Sequence, residues 1–298
     1  MNRDVAASVR GRLMNQARET GRPFQELLQY FAMERFLFRL SKSEHANRFV
    51  LKGALMFAVW GTAQSRATRD IDLLARADNS VDAMTGMVKD ICDQAVAPDG
   101  VNFVTDTVEG VAIKEDAEYS GVRVTFVAMI QNARLPMQID IGFGDVVHPS
   151  ALDVVFPAML DFESARLTGY SKETVIAEKF EAMIKLGQLN SRMKDFFDIL
   201  TLCRHFDFDG GNLTIAIKKT FSNRGTAVEA KPFVFSNDFF EDAQKQVQWT
   251  AFLRKSKLDR VPSSFAEVAR ELSVFLSPIA KAIELESPFD SQWAAGAP

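Results

Sequence analysis

Two aspartates separated by a single residue are the strongest chemical signal in the sequence. Asp70 and Asp72 alternate with the apolar Ile71 and Leu73, which is typical of a β-strand with one buried face. Side chains two residues apart on a strand point the same way, so the carboxylates are expected to lie side by side. Carboxylate oxygens suit Mg²⁺, which completes its shell with water and substrate phosphates. The pair therefore predicts a magnesium site, although an isolated pair of this kind is more often a solvated strand edge.

Two further residues strengthen the magnesium hypothesis. Gly53 follows a β-rich run and precedes an apolar helical one, where a glycine lets backbone N–H groups approach a triphosphate. Asp140 alternates with Ile139 and Ile141, so it faces away from the core and can supply a third carboxylate. Taken singly, Gly53 could be a simple tight turn and Asp140 a solvated strand residue.

The elements that must position these residues follow from hydrophobic periodicity. Helices are predicted over residues 5–40 with a break at 21–23, and over 54–60, 82–95 and 239–253, and strands over 49–53, 69–75, 122–130 and 135–143. The last two strands flank turn residues and predict a hairpin. From Ser171 the pattern is helical almost to the end. We therefore expect an α+β protein with a helical lead-in (1–45), a mixed core (46–165) and an α-helical domain (166–298).

The helical half carries a second group of charged residues. Ser171 can cap a helix on which Lys179 lies at the edge of the apolar stripe, a position from which lysine usually extends to solvent. On the next helix, Arg192, Asp195 and Asp198 follow at intervals of three and share one face. They form either a simple ion-pair ladder or a set of acids that meets Lys179 in a cleft.

In their order along the chain, these segments resemble the AbiEii/AbiGii nucleotidyltransferase toxin family, a branch of the polymerase-beta-like superfamily. The similar segments are Arg48–Gly53, Arg69–Leu74, Gln138–Asp145, Ala177–Ala182 and Arg192–Asp198. The resemblance implies a polymerase-beta-like nucleotidyltransferase domain with a mixed sheet, followed by an α-helical C-terminal domain. It also implies a Mg²⁺-dependent enzyme, with Mn²⁺ as an alternative, that uses a nucleoside triphosphate and releases pyrophosphate.

The resemblance also suggests a role for each matching residue. Asp195 would orient or deprotonate the acceptor, or position Lys179, and Asp198 would hold the arrangement together. The implied catalytic residues are Asp70, Asp72, Asp140, Lys179 and Asp195, of which Asp70, Asp72 and Asp140 would bind the metal. The implied nucleotide-binding residues are Lys52, Gly53, Arg69, Lys179, Arg192 and Asp198.

The resemblance implies transfer of a nucleoside monophosphate to an RNA acceptor, with the 3′ end of tRNA, the acceptor of some relatives, as the expected one. Family members of this kind are toxins of bacterial toxin–antitoxin or phage-defence systems, so a cognate antitoxin is expected. The family often has a second glycine and a hydroxyl residue after the first glycine, whereas this chain has Ala54 and Leu55. Two alternatives stay open: a nucleotidyltransferase acting on a small hydroxylated molecule, and a non-catalytic nucleotide-binding regulator, which the replacement of the expected glycine and hydroxyl suggests.

Composition and net charge indicate less about the classes of binding partner than the motifs do. The 298 residues carry a formal net charge of −4, which gives no overall basic footprint for nucleic acid. A basic cluster near the end of the helix predicted over 239–253 consists of Arg254, Lys255, Lys257 and Arg260. It is more typical of a solvated helix end, and the alternative is a surface that binds RNA phosphates. No segment approaches the roughly 20 apolar residues of a membrane span. Together with two distant cysteines and no signal-peptide pattern, this predicts a cytoplasmic protein without a membrane partner.

Overall fold

The chain forms two compact units in a computed structural model that describes residues 3–62, 67–116, 119–258 and 260–296. The first unit is built from Met1–Gly61, Ala67–Gly144 and Leu152–Gly169. The second unit takes Thr62, Asp145–Ala151 and the chain from Tyr170 onward. The predicted helical lead-in is thus part of the same unit as the strands that carry the acidic residues.

The first unit contains four α-helices and seven strands within its described residues. Its helices are α1 (Arg3–Thr20), α2 (Phe24–Lys42), α3 (Met56–Val59) and α4 (Val81–Asp93). Its strands are β1 (Phe49–Lys52), β2 (Asp70–Ala75), β3 (Asn102–Asp116), β4 (Tyr119–Ile130), β5 (Ala133–Phe143), β6 (Leu152–Phe156) and β7 (Ala165–Gly169).

The seven described strands of the first unit form one mixed sheet in the order β3-β4-β5-β2-β1-β7-β6. Strand β2 pairs antiparallel with β1 and parallel with β5, and β4 and β5 form the predicted antiparallel hairpin. Strand β1 is parallel to β7. The expectation of a mixed sheet followed by a helical C-terminal part is therefore confirmed.

The sheet presents an apolar face and a more polar one. Ile71 and Leu73 of β2 are fully buried in one hydrophobic cluster with Ile139 of β5 and Phe36 of α2. Side chains alternate along a strand, so Asp70 and Asp72, which alternate with Ile71 and Leu73, point to the opposite face. Burial of the apolar face thus fixes the direction in which the acidic residues point.

The second unit is mostly helical within its described residues. Its helices are α5 (Lys172–Leu186), α6 (Met193–His205), α7 (Gly210–Asn223), α8 (Asn237–Phe240), α9 (Ala243–Ser256) and α10 (Phe265–Glu284). Two short strands, β8 (Phe208–Asp209) and β9 (Gln292–Trp293), pair antiparallel. Ser171 caps α5 as predicted, since its hydroxyl accepts the Thr174 N–H. Aromatic side chains, among them the fully buried Trp249, fill the interior.

Two predicted helices differ from the structure. The run at residues 54–60 begins as a 3₁₀ turn at Gly53–Leu55, and only α3 is α-helical. The helix predicted over 239–253 is in fact two, because Asp242 accepts the Gln244 N–H and starts α9 after α8 has ended. Strand β3 and the pair β6 and β7 were not predicted. No helix in the described part of the chain is both long and apolar enough to cross a membrane.

Candidate active site

The paired aspartates of β2 lie on the polar face of the sheet. Asp70 and Asp72 are half-buried, whereas Ile71 and Leu73 between and after them are 0% and 1% exposed. The two carboxylates therefore point away from the apolar core, as the alternation predicts. They keep enough exposure to meet a ligand from solvent.

Gly53 lies directly against the carboxylate of Asp72. Its φ angle is +71°, a left-handed conformation that favours glycine. A Cβ atom added at Gly53 would lie 2.6 Å from Asp72 Cγ and 2.7 Å from Asp72 Cβ, closer than real contacts allow. The absence of a side chain is thus what permits the turn after β1 to pack on the second aspartate. Sequence reasoning placed this glycine near a phosphate but did not foresee its contact with Asp72.

Neighbouring strands place two more candidate residues beside Asp72. Asp140 of β5 is its register partner on one side, and Lys52 of β1 is its partner on the other. Register partners on adjacent strands point to the same face of a sheet. Both residues are largely buried, at 9% exposed for Asp140 and 7% for Lys52. The three predicted metal ligands are therefore neighbours on one face of the sheet.

The carboxylate of Asp140 is held by an arginine. Arg123 donates from Nε to Oδ1 and from Nη2 to Oδ2, both at 2.8 Å, and Gln138 Nε2 lies 3.2 Å from Oδ2. A bidentate pair of this kind is strong and directional. Sequence reasoning missed Arg123, although hairpin pairing around the turn at residues 131–132 sets it opposite Asp140. Asp140 thus has a protein partner for each oxygen.

The donor atoms present fit a site with two carboxylates better than one with three. No group of three His, Cys, Asp or Glu residues among those described is placed to hold a metal ion. Mg²⁺ is commonly bound by one or two protein carboxylates, with water and substrate phosphates completing the octahedron. Asp70 and Asp72 meet that requirement. Asp140 is their neighbour, but Arg123 already engages it.

A pocket of about 810 Å³ opens beside Asp70 within the first unit. It runs from β2 across β5, β4 and β3 to the start of α2, and the exposed Arg69 lies at its rim. Gly53 is not among its lining residues, so the pocket lies on the β5 side of the aspartates and the glycine turn on the β1 side. Its volume is in the range of small-molecule sites.

In the second unit, Lys179 is clamped by two buried aspartates. Its Nζ lies 2.8 Å from Asp195 Oδ1 and 2.8 Å from Asp198 Oδ2. Both carboxylates are 1% exposed, whereas the Lys179 side chain is 13% exposed. Arg192 Nε lies 2.7 Å from Asp195 Oδ2, although this contact lacks hydrogen-bond alignment. The four charged residues that the sequence grouped together therefore form one cluster.

The ionisation of Asp195 favours a positioning role over proton transfer. Burial raises the free-energy cost of its charge, but Lys179 and then Arg192 outweigh that cost, so its pKa lies below the ordinary value of 3.8. A carboxylate whose pKa lies below its ordinary value is a weak base at neutral pH. Of the roles predicted for Asp195, holding Lys179 in place is the one that the geometry supports.

Residues that sequence reasoning missed fix the loop that carries Arg192. Lys245 is 3% exposed, and its ammonium group donates to the carbonyl oxygens of Gln188 and Asn190, both at 2.7 Å. Asn190 Oδ1 accepts the backbone N–H of Arg192 at 2.8 Å. Burial lowers the pKa of Lys245, and Asp242 partly opposes this effect. The loop before α6 is thus held by side chains on both sides of its turn.

A second ion cluster braces the helix that carries Lys179. Arg224 contacts Asp145 at 2.8 Å, Glu181 at 3.1 Å and Glu178 at 3.3 Å. Glu178 and Glu181 belong to α5 and flank Lys179 along the chain. Because these acids are largely buried around one guanidinium group, they restrain the rotation of α5. Lys179 is therefore held both through its own ammonium group and through the helix that bears it.

The sequence comparisons point to one protein family. The model of the family described as "Nucleotidyl transferase AbiEii toxin, Type IV TA system" matches residues 35–271, a span that contains all the candidate residues above. No curated protein matches the chain.

Two solved structures from Helicobacter pylori are similar to this chain. That of the protein JHP933 has a TM-score of 0.47 at 17% identity and covers 88% of this chain and 94% of its own. The other, provisionally described as a nucleotidyltransferase, has a TM-score of 0.48 at 17% identity and covers 89% of this chain and 99% of its own.

Replacement of Gly53 tests the contact with Asp72. Gly53→Ala should lower the free energy of unfolding by about 1 to 3 kcal/mol through backbone strain, and should further displace Asp72. Gly21→Ala is the matched control, because Gly21 has a φ of +69° and open space around its Cα atom. Chemical denaturation should show the larger loss for Gly53→Ala, and equal losses would contradict the contact.

Acid titration tests the charge state of Asp195. Because its folded pKa is lowered, the carboxylate stabilises the fold above its ordinary pKa, and this stabilisation is lost as the pH falls below about 4. Asp195→Asn removes that proton-linked contribution. Urea denaturation between pH 2.5 and 6 should therefore give a shallower acid-side slope for this variant, by up to about 1.4 kcal/mol per pH unit. Exposed Asp238→Asn is the control, and parallel slopes for Asp195→Asn and the wild type would refute the lowered pKa.

Proposed function

The chain belongs to the AbiEii nucleotidyl transferase toxin family, and on that premise we propose that it transfers a nucleoside monophosphate to RNA in a Mg²⁺-dependent reaction. The proposed acceptor is the 3′ end of tRNA. The oxygen of the acceptor hydroxyl attacks the α-phosphorus of a nucleoside triphosphate. The bond between the α-phosphorus and the oxygen that bridges it to the β-phosphorus breaks, and pyrophosphate and a proton leave. The family membership supports nucleotidyl transfer, and the metal and the acceptor are the proposed parts.

The observation that carries this proposal is the packing of Gly53 on Asp72. The turn after β1 brings backbone of a side-chain-free residue next to a carboxylate that suits Mg²⁺. Bare backbone at the start of a helical segment is a favourable place for phosphate oxygens. A triphosphate bound there would have its phosphates beside both the glycine turn and the metal ligands.

Asp70 and Asp72 are the residues proposed to hold Mg²⁺. When bound, the ion would offset phosphate charge and hold attacking and leaving oxygens together. Asp140 is the candidate third ligand or the base for the acceptor hydroxyl, and either role competes with its two bonds to Arg123. Lys52 and Arg69 remain candidate phosphate contacts in the first unit.

Lys179 is proposed to offset charge on the nucleotide phosphates. Its ammonium group is oriented by Asp195 and Asp198, so little conformational entropy is lost when it meets a phosphate. Arg192 balances the second aspartate charge of the cluster. In this proposal Asp195 and Asp198 are positioning residues, and Arg192 is a second candidate phosphate contact.

A nucleotide-binding regulator without turnover is the second candidate function. Ala54 and Leu55 follow Gly53, and their side chains are buried, at 8% and 1% exposed. The turn therefore has no hydroxyl group for a phosphate, and only its backbone can contribute.

The proposed biological setting is that of a toxin with a cognate antitoxin, as the type IV toxin–antitoxin family implies, with phage defence as its proposed purpose.

Removal of the Asp72 charge tests the proposed reaction. With a labelled nucleoside triphosphate, Mg²⁺ and total bacterial RNA, the wild type should label a tRNA-sized band and release pyrophosphate. Asp72→Asn should lower both rates by about 100-fold or more, since loss of a metal ligand costs several kcal/mol of transition-state stabilisation. Asp161→Asn is the control, because that side chain is 97% exposed and remote from the glycine turn in sequence.

Each other result of this assay identifies a different function. Labelling of a small hydroxylated compound in place of RNA would assign the alternative acceptor class. Mg²⁺-dependent nucleotide binding with no pyrophosphate release from the wild type would favour the regulator. Equal activity of the Asp72→Asn variant and the wild type would remove Asp72 from the site.

Release of Asp140 from its arginine tests whether it assists metal binding. In Arg123→Gln both oxygens of Asp140 lose a charged partner, so its negative charge is available to the metal site. If Asp140 is a ligand, the Mg²⁺ concentration for half-maximal transfer should fall by about fivefold, equivalent to about 1 kcal/mol. The double variant with Asp140→Asn should reverse this change. An unaltered Mg²⁺ dependence in Arg123→Gln would assign Asp140 to structure alone.

A further inference from the structure

A shallow groove crosses the surface of the second unit between the start of α6 and the end of α9. Its volume is about 390 Å³, and its walls carry cationic side chains on both helices. Its lining residues include Arg192, Lys194, Gln248, Phe252 and Lys255. We call it the α6–α9 groove.

The charge of the α6–α9 groove is opposite to that of the whole chain. The formal net charge of the protein is −4, yet the sequence from Ala243 to Leu258 contains no acidic residue. Arg254, Lys255 and Lys257 are exposed at the end of α9. The acids near the start of α6, Asp195 and Asp198, are 1% exposed and contact Lys179. Among the described residues, the charges that line the groove are therefore cationic.

Helix stability explains only half of these cations. Arg254 and Lys255 lie in the last turn of α9, where positive charge interacts favourably with the helix dipole, so α9 alone fits a solvated helix end. Lys194 lies in the first turn of α6, where the dipole disfavours positive charge. The charge of Lys194 also helps to lower the pKa of the adjacent Asp195, and its exposed position places it on the same groove as Lys255.

The α6–α9 groove also has a fixed apolar floor. Phe252 is partly exposed, and its ring packs against Trp249 at 5.4 Å and Phe197 at 5.7 Å between centroids. Met193 and Ala251 lie beside it. Cations that alternate with an apolar floor suit a nucleic acid strand, whose phosphates and whose sugars or bases can be bound together.

We infer that the α6–α9 groove binds the phosphodiester backbone of the RNA acceptor. This inference rests on the proposed function, because it presumes that the acceptor is RNA. Arg192 supports it by continuity, since this residue lines the groove and also contacts Asp195, which holds Lys179. A strand in the groove would thus run directly to the Lys179 cluster.

Charge reversal at Lys255 tests the inference, with RNA binding measured apart from transfer. The probe is a fluorescein-labelled 12-nucleotide single-stranded RNA, followed by anisotropy without nucleotide at 25 to 200 mM KCl. Lys255→Glu should raise the Kd about 5- to 10-fold at the lowest salt. It should also reduce the slope of log K against log salt by about 0.7, the contribution of one phosphate contact on a single strand. Thermal melting should show that the variant remains folded.

Lys218→Glu is the matched control, because Lys218 is an exposed lysine on α7 of the same unit and outside the groove. Its RNA affinity and transfer activity should stay within twofold of wild type. Equal losses in both variants would overturn the inference, since they would reflect net charge alone. Tighter binding of a poly-glutamate peptide than of RNA to the wild type, lost in Lys255→Glu, would also overturn it in favour of an acidic protein partner.

The outcomes separate the groove from the proposed reaction. RNA binding that depends on Lys255 in a protein that never labels RNA would support the groove and contradict transfer to RNA. RNA labelling that is unchanged in Lys255→Glu, with unchanged RNA affinity, would contradict the groove and leave the reaction standing.

Discussion

The contact between Gly53 and Asp72 is the constraint on which the candidate site depends. A left-handed turn can follow β1 only because residue 53 has no side chain, and the same absence lets the turn lie on the carboxylate. The position of that carboxylate is set in turn by Ile71 and Leu73, which are buried on the other face of the sheet. A one-residue slip of β2 would bury both aspartates, so the apolar core and the acidic pair enforce each other.

The alternation of polar and apolar residues predicted several strands of the first unit correctly, whereas the pairing of distant strands could not be predicted in this way. The hairpin of β4 and β5 and the outward direction of Asp140 follow from period-two patterns within short segments. The parallel pairing of β2 with β5 joins segments far apart in sequence, and it alone makes Asp140 the neighbour of Asp72. No local pattern reports such a register. The hairpin register sets Arg123 opposite Asp140 and could have been predicted from the sequence. The hydrogen bonds between the two side chains could not, because they depend on side-chain geometry.

The second unit shows the same division between local and long-range information. Intervals of three along α6 predicted that Arg192, Asp195 and Asp198 share a face, and the cap at Ser171 fixed the start of α5. The clamp on Lys179 was one of two alternatives at that level. Lys245 could not be predicted, because a lysine whose ammonium group binds buried carbonyl oxygens has the same sequence pattern as one that extends to solvent.

Compensation of buried charge explains how an acidic chain can present a cationic surface. The carboxyl groups of Asp195 and Asp198 are buried, so each needs a nearby cation, and Lys179 and Arg192 supply it from the adjacent elements. The acids of α6 therefore contribute little to the field outside, whereas Lys194 and Lys255 remain on the surface that they share. The net charge counts buried and exposed charged residues alike, whereas a phosphate that approaches this face would interact mainly with the exposed ones. A total of −4 thus does not weigh against a local nucleic acid surface.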